Sequence, residues 1–200
     1  MKLKFFLLTF LLLFARGCDF YSTSLWFFDN PTGEQNPLYK FFGMGWTGLV
    51  IVNIVIISLI AYCFYYYSFK YSIDRVSKKP TKLTKYISER YFNDSERFYQ
   101  VFYRAPKNKK TLLGHLGYVL IRIAIFGSFL ATIHNLCQFY NVSAYNSFRE
   151  MTGRPLYVIY GLILGSFLFL LFKIWNKEFH IAKKVFYSEN LDSSITKNAT

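Results

Sequence analysis

Apolar residues in this chain come in long unbroken blocks, not at the helical or strand spacing of a water-soluble core, and this constrains the fold more than any other feature. The blocks cover residues 5–28, 47–67, 112–134 and 156–175. Each approaches the roughly 20 residues that a helix, rising about 1.5 Å per residue, needs to cross a hydrocarbon core of about 30 Å. A buried helix of a soluble protein rarely stays apolar on every face for that length. The blocks therefore predict an all-α, polytopic membrane protein with four transmembrane helices. The corresponding segments are 1–43 (first span and outer loop), 44–69 (second span), 70–110 (a basic loop), 111–176 (third and fourth spans) and 177–200 (a polar tail).

Charge sets the orientation. The chain carries 24 Lys and Arg against 11 Asp and Glu, a net +13, yet its mean hydropathy is +0.20. The basic residues are pushed between the apolar blocks. Residues 70–110 hold twelve Lys and Arg against four Asp and Glu, a net +8, whereas the other two connections are nearly neutral. Positive-inside bias then puts this loop and both termini in the cytoplasm, in a membrane of the bacterial inner (plasma) type. Lys2, Lys4, the apolar run at 5–14 and Cys18 after Gly17 also fit a lipoprotein signal cleaved before Cys18, but Arg16 and Ala15 fit that signal poorly.

The basic loop predicts one amphipathic helix over residues 84–103, with Ile87, Tyr91, Phe98 and Phe102 on its apolar face and Thr84 as its cap. Such a helix either lies on the anionic cytoplasmic leaflet or packs on the ends of the spans. Nucleic acid is not an expected partner, because topology already accounts for the basic residues. Residues 188–200 are polar and read as disordered.

Ionisable groups inside a span cost about 2.5 to 3.5 kcal/mol each and are functional suspects by default. Arg16, Asp19 and Thr23 share one face of the first span, Asn53 interrupts the second, and Arg122 lies near the middle of the third, with His134 toward its outer end. Arg16 can pair with Asp19, or Arg122 can take Asp19 instead. Farther on, Glu34 precedes Asn36, Pro37 and Leu38, where Asn caps and Pro opens the next helix.

The pattern Asp19, Thr23, Glu34, Asn36-Pro37-Leu38 resembles that of a family of small prokaryotic multi-pass membrane proteins with no established activity. The resemblance covers the first third of the chain and implies a helical membrane fold and candidate positions, not a reaction. That family tends to carry a Lys inside the following helix, where this chain has Asn53.

Two roles suit these polar residues. In one, Asp19 and Thr23 bond across to the outer loop as a clasp that pins the first hairpin. In the other, Asp19 and Glu34, with His134, hold a cation, a proton or a lipid headgroup. Gly161 and Gly165 give a GxxxG spacing, and Gly114 with Gly117 a looser one; packing within the chain is the expected use of both. No hydrolase, zinc-protease, phosphate-loop or dinucleotide motif is present, and no spacing calls for a cofactor, metal or catalytic group. Cys18, Cys63 and Cys137 are expected to be free thiols. Three functions stay open: a non-catalytic subunit or scaffold holding a membrane-protein partner or a second copy, an oligomeric transporter or channel component, and a lipid-acting enzyme.

Overall fold

The computed structural model describes residues 2–27, 43, 45–73, 81–94 and 98–197, with side chains as far as residue 188. Among the described residues it is all-helical. The helices are α1 (Lys2–Phe27), α2 (Trp46–Phe69), α3 (Leu83–Phe92), α4 (Lys109–Phe139), α5 (Ser143–Thr152) and α6 (Pro155–Lys197), with a 3-10 turn at Phe98–Phe102.

Three of these helices, α2, α4 and α6, are long and apolar enough to cross a membrane. Their outward faces carry large apolar side chains, among them Ile51 at 57%, Ile133 at 55% and Phe169 at 64% exposure, a surface that water would not tolerate. These three helices are consistent with an integral membrane protein. At 26 residues and about 1.5 Å per residue, α1 is about 39 Å long and packs along α4 and α2. Helix α4 is the axis of the bundle, since α1, α2 and α6 all pack on it.

Close approach of α2 to α4 depends on small residues. A Cβ on Gly117 would lie 2.0 Å from the carbonyl oxygen of Cys63, and one on Gly114 would lie 2.5 Å from the Tyr71 ring. The looser glycine pair is therefore the tight seam. Gly161 and Gly165, expected to pack within the chain, have nothing within 4 Å of such a Cβ. The reason is that α6 meets α4 through another face, with Ile163 seated against Gly127.

Two further expectations are corrected. The amphipathic segment is not one helix: α3 stops at Asn93, whose φ of 57° is left-handed, a conformation that Asn tolerates better than most residues. The N-cap of α3 is Lys82, not Thr84. Its apolar side is covered by protein. Tyr86, Ile87, Tyr91 and Phe92 bury against Trp175, Ile174 and Ala182 of α6 and Val119 of α4, which is the packed arrangement and not a helix on the leaflet. Phe98 joins Trp175, their ring centres 5.9 Å apart, but Phe102 is left 66% exposed. In addition, α6 continues to Lys197 through most of the segment that composition marks as disordered, with no Gly or Pro after Gly165 to stop it.

Candidate functional sites: a membrane clasp and a buried glutamate

Arg16 is the centre of the first polar cluster. Its guanidinium donates to Asp19 Oδ2 at 2.9 Å and to Ser128 Oγ at 3.2 Å, and also to Asn53 Oδ1. One side chain thus ties α1 to α2 and α4. Asn53 spends its own amide on the Leu49 carbonyl at 2.8 Å, a satisfied arrangement for a buried amide. Farther along α1, the Asn135 amide donates to Ser22 Oγ and Thr23 Oγ1, both at 3.2 Å, and the Trp26 indole donates to the Asn135 carbonyl at 3.3 Å.

The expected Arg16–Asp19 pair and the inclusion of Asn53 are therefore present. The Arg122–Asp19 pair is not: Arg16 is the cation on Asp19, and the α4 residue that Arg16 reaches is Ser128, six residues or about 9 Å along the helix from Arg122. Arg122 instead folds back over the Tyr118 ring, 3.9 Å from its centre, and donates to the Tyr118 carbonyl. Thr23 bonds to α4. His134 does not join Asp19; its Nδ1 meets the Tyr145 hydroxyl and pins α5 to α4. Glu34, Asn36, Pro37 and Leu38 lie outside the described residues. Among the described residues no group of three His, Cys, Asp or Glu side chains could hold a metal, and the cysteines are free thiols.

A second polar cluster was not anticipated from sequence. Glu178 of α6, 2% exposed, sits at the Lys4 end of the bundle beside His115 of α4, 1% exposed. His115 Nε2 lies 3.0 Å from Glu178 Oε2, and the Tyr71 hydroxyl donates to the same oxygen at 3.0 Å. Arg90 of α3 donates to the Tyr71 oxygen at 3.2 Å. On the other ring nitrogen, His115 Nδ1 is 2.6 Å from the Tyr91 hydroxyl, which accepts from the Trp175 indole at 3.4 Å.

The directions of these bonds are consistent. Trp175 donates to Tyr91, Tyr91 to His115 Nδ1, and His115 Nε2 to Glu178; Arg90 donates to Tyr71, and Tyr71 to Glu178. Both chains end on Oε2. Glu178 Oε1 is buried without a hydrogen-bond partner. Burial, and after it the Glu178 charge, push the Tyr71 phenol well above the ordinary tyrosine range, and burial does the same to Tyr91.

Beside Glu178 a cavity of about 350 Å³ opens between α1, α2, α4 and α6. Its lining includes Phe5, Phe64, Tyr67 and Ile174, with Lys4, Arg122 and Lys177 as its cations. Sequence gave one usable signal for this site, an acidic residue one turn past the fourth apolar block, but among the lysines of the tail it reads as an ordinary solvated charge. Compared with family models, with curated proteins and with solved structures, the chain matches none.

Proposed function

We propose that this protein is a four-span membrane protein with both termini in the cytoplasm, acting as a non-catalytic subunit that seats a partner helix on α6. The observation that carries this is the bareness of α6. Only 6% of its most apolar stretch is buried inside the molecule, against 39% for α4, and that stretch contains the open Gly161 and Gly165 positions. Helices in a bilayer associate by close packing, for which small residues are the usual seat.

Helix α1 serves as the fourth span in this reading. Its length suffices, and its polar Arg16 bonds to α2 and α4 in the interior of their spans. Positive-inside bias supports the orientation and a plasma-membrane location. The transporter reading has less support, because Arg16 is spent on Asp19, Asn53 and Ser128 and does not face an open path.

Cysteine cross-linking in native membranes tests the proposal. In a background with Cys18, Cys63 and Cys137 changed to Ser, Gly161→Cys and Gly165→Cys are expected to give an adduct, and Ile163→Cys, which faces Gly127, none. An adduct at twice the 23.7 kDa of the chain identifies a second copy, and any other mass a different subunit. No adduct at either glycine, or equal adduct at Ile163, would overturn the proposal.

A further inference from the structure

The cavity beside Glu178 plays no part in holding a partner on α6, and its chemistry is unusual for a gap in a helical bundle. Its volume of about 350 Å³ falls within the roughly 300 to 1,000 Å³ typical of small-molecule sites. Among the described residues no carboxylate lies within 4 Å of Lys4, Arg122 or Lys177, and Arg122 meets the ring and carbonyl of Tyr118, which leave its charge without an acidic partner there. The opposite side is apolar, with Phe5 and Phe64 stacked at 5.4 Å. The single acid in the lining, Glu178, is 2% exposed, and its Oε1 has no hydrogen-bond partner.

A plain anion would suit the three cations but would be repelled by Glu178. A plain cation would suit Glu178 but not the rest. A molecule with a phosphate, a primary ammonium a few bonds away and a hydrocarbon chain matches all three features at once. The depth also fits. The site lies at the Lys2 and Lys4 end of α1, where positive-inside bias puts the cytoplasmic headgroup layer.

We propose that this cavity is a binding site for an aminophospholipid of the cytoplasmic leaflet. Lys4, Arg122 and Lys177 hold the phosphate, Glu178 accepts from the ammonium, and an acyl chain lies along Phe5 and Phe64. Glu178 is oriented for this by Tyr71 and His115, which occupy Oε2.

Native mass spectrometry of the full-length protein, loaded with equal amounts of phosphatidylethanolamine and phosphatidylglycerol of identical acyl chains, tests it. The expected result is retention of the ethanolamine lipid about tenfold over the glycerol lipid, the scale of one charge-assisted hydrogen bond. Lys4→Gln with Lys177→Gln, both exposed positions, should lower retention of both lipids about tenfold with no change in thermal midpoint. Glu178→Gln should erase the preference while both lipids are still retained. Free phosphoethanolamine, which lacks the acyl chain, should not displace the bound lipid. Equal retention of the two lipids by the unmodified protein, unchanged retention in the lysine variant, or displacement by free phosphoethanolamine would each overturn the proposal.

Discussion

The two polar clusters of this molecule are built on opposite plans. In the membrane clasp, one cation gathers an acid, an amide and a hydroxyl from α1, α2 and α4, and the polar groups face one another. At the other cluster, two hydrogen-bond chains from α3, α4, α6 and the residues after α2 converge on one oxygen of Glu178 and leave the other without a partner. A closed cluster holds helices together. A cluster that ends on an unsatisfied acceptor beside a cavity is arranged to receive something, because a buried unpaired carboxylate oxygen costs free energy unless a ligand or its charge state offsets it.

The contrast can be broken first at Glu178. Glu178→Leu removes the shared acceptor and orphans the donors of Tyr71 and His115, so a loss of about 3 to 5 kcal/mol is expected, read as a lowered unfolding midpoint in detergent. Glu178→Gln keeps one acceptor and should retain most of that stability. If the two variants unfold alike, the donors on Oε2 contribute nothing.

The clasp should behave as a coupled pair. Arg16→Leu or Asp19→Leu alone is expected to cost about 1 to 3 kcal/mol, because each removes the charge-assisted hydrogen bond between the two part-buried side chains. The double variant should recover to within about 1 kcal/mol of the parent, as replacement of both partners of a buried pair often does. Additive losses would show that Arg16 works chiefly through Asn53 and Ser128.

The smallest effect is in alkali. An unfolded Tyr71 loses its proton near pH 10, whereas the buried, folded one keeps it to higher pH. The unfolded state therefore binds fewer protons than the folded state above about pH 10, so stability that is fully present below that pH falls as pH rises through it. Tyr71→Phe should make this alkaline slope shallower, with Tyr91 supplying the remainder. An unchanged slope would place the titrating groups elsewhere.

The Arg16–Asp19 pair was legible in the sequence and the glutamate network was not, for a physical reason. Arg16 and Asp19 interrupt an apolar block, where any charge is expensive and so conspicuous, and their spacing of three already puts them on one helical face. Ser128 and Asn135 are too small and common to announce themselves as partners. Tyr71, Arg90 and Tyr91 lie in the basic loop, His115 in the third apolar block and Glu178 among the lysines of the tail, and the network depends on contacts up to 107 residues apart that no local period encodes. The same limit explains α3. The apolar period of residues 84–103 was real, but Asn93 ended the helix, and the face met α6 instead of lipid.

Lipid retention by two variants side by side tests the division most directly. One lacks the clasp (Arg16→Leu with Asp19→Leu), and the other lacks the cavity lysines (Lys4→Gln with Lys177→Gln). The clasp variant is expected to keep the ethanolamine lipid as well as the parent does, while the lysine variant loses it about tenfold. Loss of lipid from the clasp variant together with full retention by the lysine variant would contradict the account and move the binding site into the membrane interior.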